Sequence, residues 1–339
     1  MMRAVGYQHS LEIEHHDALV DIELPRPTAK GCDVLVEVKA ISVNPIDTKV
    51  RMRAQPPEGE WKVLGWDAAG VVVEVGDDVT GFKVGDEVFY AGSLSRDGTN
   101  AQFHLVDSRI IALKPRSLSW IEAAALPLTS ITAYEVLFDR LRVAECQVPG
   151  AASAIVIIGG AGGVGSMAVQ LARQLTDLTV LSTASRDTTK AWVEQMGAHR
   201  VLDHSQPLSP QVEAVGIGAP GFAFSITHTD QHQADIAHFL SPQGHMALID
   251  DPAQFQLGLF KGKSIAIHWE SMFTRSLFGT PDMARQGEIL AHVAKLVDEG
   301  KIKTTLAQNF GPINAVNLKR AHALLESHGS HGKIVLEGF

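Results

Sequence analysis

The chain has 339 residues, a length that suggests about two domains. With 45% hydrophobic and 20% charged residues its composition is that of an ordinary globular protein. The net charge of −9, with no long basic block, argues against nucleic acid as a main partner, and two cysteines, Cys32 and Cys146, can make neither a disulfide framework nor a four-cysteine zinc site.

No apolar run reaches the roughly 18 residues of a membrane span. The start, Met1–Tyr7, lacks the apolar region of a signal peptide and runs into strand-like sequence. The expectation is a cytoplasmic protein with no membrane partner. The first 120 or so residues read as β-structure. Val34–Ala40 alternates apolar with polar side chains, and Val71–Gly76 and Gly85–Phe89 look like further strands bounded by turns. Their short spacing suggests a partly open barrel. Ser119 is a candidate N-cap for a helix through Leu126, which Pro127 should break, and a second helix is expected from about Ser130 to Leu141.

Strand then alternates with helix. The run 154–158 (Ala-Ile-Val-Ile-Ile) meets a glycine-rich turn, with a helical pattern after Val164. Strand-like segments follow at 178–182, 200–203, 221–226 and 245–249, with a helix beginning at Thr188. This predicts an α/β fold with a doubly wound parallel sheet. From about Lys263 the alternation stops; a long helix near 281–299 precedes a strand, a helix and a last strand at 333–337. That last strand is expected to return to the N-terminal domain.

Gly160, Gly162 and Gly165 fit G-x-G-x-x-G between strand and helix. Gly160 is expected to permit the tight turn, Gly162 to admit a pyrophosphate to the backbone, and Gly165 to let the helix pack on the strand. The helix start, with Gly163 and Val164, offers free N–H groups to phosphates. An NAD site usually carries an acid about 20 residues further on; here stand Thr183, Ala184, Ser185 and Arg186. A guanidinium can grip a 2′-phosphate, and Lys190 can face the same place. NADP(H) is the expected dinucleotide. The alternative leaves Arg186 and Lys190 as solvated charges, with Asp187 on the ribose.

Gly65-Trp66-Asp67-Ala68-Ala69-Gly70 leading to Val84-Gly85-Asp86, then Ala124-Ala125-Leu126-Pro127, Thr132-Ala133-Tyr134, the glycine turn and Gly332-Lys333-Ile334-Val335-Leu336 occur in one order along nearly the whole chain. This pattern resembles the medium-chain dehydrogenase/reductase superfamily, in its quinone oxidoreductase and zinc-type alcohol dehydrogenase-like branch. The resemblance implies a GroES-like catalytic domain from residues 1–127 and 267–339, a Rossmann domain at 128–266, and commonly a homodimer joined through Rossmann edge strands. It places Asn44 and Asp47 in a loop beside the nicotinamide, and Lys49 where several quinone oxidoreductases carry a Tyr. It makes Thr132 a residue near the nicotinamide, Trp66 an apolar wall on the substrate side, and Lys333 a cofactor contact. Each also has a plain structural alternative: a turn cap, a surface charge, a helix face or ordinary core. The strand ends Thr227-His228-Thr229 and Ile249-Asp250 fall where such sheets form their ligand crevice.

In zinc-dependent relatives a Gly-His-Glu stands where this chain has Gly65-Trp66-Asp67, and Asn44 is near the place of a ligand Cys. An indole N–H only donates and cannot hold zinc. Of 15 histidines, the close pairs His15/His16, His228/His232 and His328/His331 lack the acidic or thiol company of a metal signature. No metal is expected. Without a Lewis acid to hold an alkoxide, the leading reading is an NADPH-dependent reductase of a quinone or α,β-unsaturated carbonyl. A zinc-independent alcohol or aldehyde dehydrogenase, and a non-catalytic NADPH-binding protein, remain as alternatives.

Overall fold

The computed structural model describes residues 1–339 and divides into two units, Met1–Ile131 with Phe273–Phe339, and Thr132–Met272. Both crossings fall a few residues later than the motifs suggest. The reason on the return side is a strand at 266–269 that completes the second unit's sheet.

The first unit opens with β1 (Met2–Tyr7), β2 (Val20–Leu24) and β3 (Asp33–Val43), then α1 (Pro45–Arg53). Strands β4 (Lys62–Val63), β5 (Ala68–Val75), β6 (Glu87–Tyr90), β7 (Phe103–Asp107) and β8 (Ile111–Leu113) follow. One small sheet has the order β2-β1-β4. The larger sheet is built on β3, which is 11 residues long and pairs antiparallel with both β5 and β7. Val34, Val36, Val38 and Ala40 on one face are buried, as the alternating sequence requires, and Leu35 and Ile41 on the other face are buried too.

Helix α2 (Trp120–Ala124) starts at Ser119, whose N–H donates to Glu122 Oε2 at 2.9 Å, a reciprocal cap of the S-x-x-E type. Pro127 does not merely end that helix. It opens α3 (Pro127–Tyr134), because a proline's missing N–H costs nothing in a first turn. The helix runs on as a π-helical stretch, Glu135–Arg140. Taken together, Trp120–Arg140 is long and apolar enough to span a membrane by composition, contrary to the sequence expectation; 78% of its apolar window is buried inside the protein, as in a core helix.

The second unit is an alternation of β9 (Ala152–Ile158), α4 (Gly163–Leu175), β10 (Thr179–Thr183), α5 (Asp187–Gln195), β11 (Arg200–Leu202), α6 (Leu208–Ala214), β12 (Pro220–Ser225), α7 (Thr229–Phe239), β13 (His245–Leu248), α8 (Gly258–Lys261) and β14 (Ala266–Trp269). All pairings are parallel, in the order β11-β10-β9-β12-β13-β14. This is the doubly wound arrangement, with the order reversing between β9 and β12. The central strands are buried on both faces, so they read as unbroken apolar runs.

The chain then returns to the first unit with α9 (Thr274–Phe278), α10 (Arg285–Asp298), β15 (Leu306–Asn309), α11 (Ala315–Glu326) and β16 (Lys333–Glu337). The last strand pairs antiparallel with β3, Ile334 opposite Val43. The N-terminal sheet is therefore completed by the C-terminal strand, as expected.

Candidate functional site

Two groups of polar residues stand out, one in each unit. In the second unit, β9 ends in the glycine turn. Gly159, not Gly160, takes the left-handed backbone, with φ +91°. Gly160 is required for a different reason: a Cβ there would lie 2.0 Å from Ser182 Oγ. At Gly165 a Cβ would come within 2.2 Å of the Gly159 carbonyl oxygen, so this residue does let α4 pack on the turn. Gly162 is open, its nearest neighbour being the Gly159 carbonyl at 3.7 Å. It is also the N-cap of α4 and has no side chain to cap the first turn. The N–H groups of Gly163, Val164 and Gly165 thus open a 13-residue helix with no side-chain oxygen placed on them, a cradle that fits a pyrophosphate.

The Gly159 N–H donates to Thr183 Oγ1 at 3.0 Å, tying the turn to the end of β10. Thr183 Oγ1 also lies 3.0 Å from His204 Nδ1. Ser185 is half-buried and Arg186 exposed just beyond β10. Lys190 is ion-paired to Asp203 at 2.9 Å. Asp203 is held below the usual carboxylate range by Ser205 first and Lys190 second. Lys190 therefore reaches this corner, but already engaged with an acid. Burial lowers His204, and the positive charges of Arg186 and Lys190 add to the effect. Sequence reading missed His204 and Asp203; the signal was a polar pair closing a strand that lies beside β10.

Among the other strand ends, Thr227 packs on the turn, its Cγ2 3.1 Å from where a Cβ on Gly159 would stand. His228 is exposed, in a left-handed conformation before α7. Thr229 and Asp250, expected as cofactor contacts, are bonded to each other. Thr229 is buried, and Asp250 accepts its N–H at 2.9 Å and its hydroxyl at 2.5 Å. The pair fastens α7 to the loop after β13, and Ile249 donates its N–H to Ser225 O across the same strands at 3.3 Å. Thr132 is buried in α3.

In the first unit, Asn44, Asp67 and Lys333 form one buried cluster. Lys333 Nζ lies 2.9 Å from Asp67 Oδ2 and 3.1 Å from the Val43 carbonyl, and it also donates to Asn44 Oδ1. The Asn44 amide donates to the same Asp67 oxygen at 2.8 Å, and the Leu128 N–H donates to the other at 2.7 Å. Burial pushes Asp67 up, while Lys333 pulls it back. Lys333, read from sequence as a cofactor contact, is instead the internal counter-ion of Asp67. Asp67 itself was overlooked, although a buried lysine needs an acid.

Asn44 is the N-cap residue of α1, and Asp47 accepts its backbone N–H at 2.8 Å. The supposed loop is thus a capped helix start with Pro45 at its first position. Asp47 is fully buried, and burial raises it to about 7. Its carboxylate closes the cap and has no open side toward a substrate. Lys49 sits half-buried on α1. Trp66 is core: it is 1% exposed, donates to the Ser93 carbonyl at 3.2 Å and meets Phe273 edge-on at 6.1 Å between ring centroids. It is no exposed wall.

Comparison with known proteins bears on these geometries. The alcohol dehydrogenase GroES-like domain family matches residues 30–115, and the zinc-binding dehydrogenase family matches residues 196–336. A zinc-type alcohol dehydrogenase-like protein of Staphylococcus aureus (strain MSSA476) is 40% identical over 338 residues, covering 99% of each chain. A crystal structure from Rhizobium etli CFN 42, provisionally assigned to the zinc-dependent alcohol dehydrogenases, is 61% identical with a TM-score of 0.98, covering 100% of this chain and 98% of that one. The Escherichia coli quinone oxidoreductase crystallised with NADPH shares the fold, with 23% identity, a TM-score of 0.79 and 99% of each chain covered.

Zinc, which these family descriptions name, does not fit the residues present. A catalytic zinc needs three convergent thiolate, imidazole or carboxylate donors. Around Asp67 the neighbours are an amide, an indole turned to Ser93 and the ammonium of Lys333, which already supplies the positive charge. Three ligand atoms do gather within 4.8 Å at His15, His16 and Asp17, on the surface. Asp17 there gives the histidine pair an acidic companion that the sequence reading denied it, 3.0 Å from His16 Nε2. By sequence and by fold, the chain belongs to the zinc-type alcohol dehydrogenase-like proteins of the medium-chain dehydrogenase/reductase superfamily and is an oxidoreductase.

Proposed function

We propose that the chain is an NADPH-dependent reductase of quinones or α,β-unsaturated carbonyls that works without zinc. The observation that carries this reading is the Lys333 ammonium on Asp67, where a metal-dependent relative would gather zinc donors. A site without a Lewis acid handles poorly the alkoxide of alcohol oxidation. An electron-poor acceptor leaves a delocalised oxyanion, for which hydrogen-bond donors suffice. The nicotinamide, when bound, supplies the hydride. The protein's part is to hold it: the open backbone at Gly162 and the first turn of α4 receive the pyrophosphate, and Ser185 and Arg186 receive the 2′-phosphate of NADPH. Ser185 and Arg186 directly after β10, with no acid before Asp187, support NADPH over NADH.

The test is NADPH oxidation against a panel of quinones, enones and saturated aldehydes. Turnover of quinones or enones supports the proposal; turnover of saturated aldehydes alone supports a metal-free dehydrogenase, and tight NADPH binding without turnover a binding protein. For the cofactor, Arg186→Ala is expected to weaken NADPH binding at least about tenfold, from the loss of a charged hydrogen bond, while NADH binding barely changes. Equal losses for both would remove the NADPH assignment.

A further inference from the structure

Only two cysteines exist, both half-buried, and they differ in company. Cys146 lies in the turn before β9, its N–H bonded to the Arg142 carbonyl at 2.8 Å. Its Sγ is 3.3 Å from His245 Nε2, and His245 Nδ1 is 3.3 Å from His268 Nε2. The two rings stack at 5.6 Å with an angle of 11°. This string follows from strand register: His245 opens β13, His268 pairs with Ala247, and alternation places His245, Ala247 and His268 on one face. Cys32 has no such imidazole; the cation facing it is Arg109.

We propose that Cys146 is an imidazole-activated thiol that adds to α,β-unsaturated carbonyl electrophiles, at a place apart from the dinucleotide end of the sheet. The proposal takes the arrangement in which His245 Nε2 is the free base. The thiol donates to His245 Nε2, and the His245 Nδ1–H donates to His268 Nε2. Partial burial keeps both histidines below their ordinary range, so they are neutral bases at pH 7. In the addition, the thiol proton moves to His245 Nε2 and the sulfur bonds to the β-carbon of the electrophile. The C=C pair shifts toward the carbonyl, and the proton returns to the α-carbon. The product is the neutral thioether, with no oxidant or reductant consumed. A thiolate with a neighbouring base is the reactive form of cysteine. Cys146 precedes β9 and His245 begins β13, so both lie at the N-terminal rim of the sheet, opposite the glycine turn.

The inference is independent of the reductase reading, and its probe is N-ethylmaleimide on the full chain, with peptide mapping of each cysteine over time. At pH 7, Cys146 is expected to react at least about tenfold faster than Cys32, as activated thiols do. His245→Gln should cut the Cys146 rate about tenfold, leaving the Cys32 rate and dinucleotide affinity unchanged. Equal rates in the wild type, or an unchanged Cys146 rate in His245→Gln, would overturn the proposal. If the variant also speeds Cys32, showing a loosened fold, His268→Gln decides: loss of the Cys146 advantage there supports the relay, and its persistence there refutes it.

Discussion

The glycine turn of the second unit and the Lys333 cluster of the first both gather polar groups, and they use them in opposite ways. At the turn, Gly162 is open and the first N–H groups of α4 carry no side-chain cap. Polarity there is not used by the chain's own side chains. In the cluster, both Asp67 oxygens and the Asn44 amide are occupied by neighbours in the chain. Polarity there is used up in holding β3, the start of α1, the start of α3 and β16 to one another. Polar residue type alone does not separate a binding site from a structural tie; unused hydrogen-bonding capacity does.

Substitutions in the two regions test that contrast. The largest effect is expected for Lys333→Met, which leaves Asp67 buried without its counter-ion. A loss of about 3–5 kcal/mol is expected, read as a fall in the urea midpoint, and adding Asp67→Asn should recover part of it. Recovery of nothing would mean that Lys333 acts by packing alone. Next comes the glycine pair. Gly165→Ala drives a Cβ into backbone and should lower stability sharply, whereas Gly162→Val should spare stability and weaken dinucleotide binding at least about tenfold. Similar unfolding midpoints for the two variants would erase the distinction between packing and binding glycines.

A third test uses pH. His322 is buried beside Arg51 with neither ring nitrogen partnered, and burial lowers it to about 3. Its folded value is depressed below that of the unfolded chain. The unfolded state therefore binds the extra proton between those values, and stability falls as pH drops below about 6.5. Wild type should lose roughly 2 kcal/mol more than His322→Gln between pH 7 and pH 5 from this group. Parallel pH profiles of the urea midpoint would show that His322 does not titrate in unfolding. The smallest effect is expected for Trp66→Phe, which removes the bond to Ser93 at a cost of about 1 kcal/mol. A large rise in KM for the acceptor, with stability unchanged, would return Trp66 to the substrate side.

The second unit was the more legible in sequence, because its signals are local. The apolar run 154–158, the glycines after it and the return of strands every few turns sit within short windows, and each became an element at or near its expected place. The capping of α2 by Ser119 and Glu122 is equally local. The first unit's tie is not: Lys333 and Asp67 are separated by 266 positions. Nothing near Lys333 in sequence announces an acid, so it read as a cofactor contact. The bond between Asp250 and Thr229, 21 positions back, was likewise not legible in sequence. For Asn44 a cap before Pro45 was the plain alternative; that the turn runs on as the helix α1, with Asp47 closing the cap, was hidden because that helix has almost no amphipathic pattern.

The pairing of β16 with β3 also sets an order of synthesis. A ribosome making this chain releases β3, Asp67 and Asn44 long before the strand and the ammonium that complete them. The stretch Thr132–Met272 is contiguous and has its whole sheet in hand once β14 emerges. The middle of the chain can therefore fold during translation, while the first unit waits, two positions of its larger sheet unfilled and one carboxylate without its cation, until β15 and β16 leave the exit tunnel.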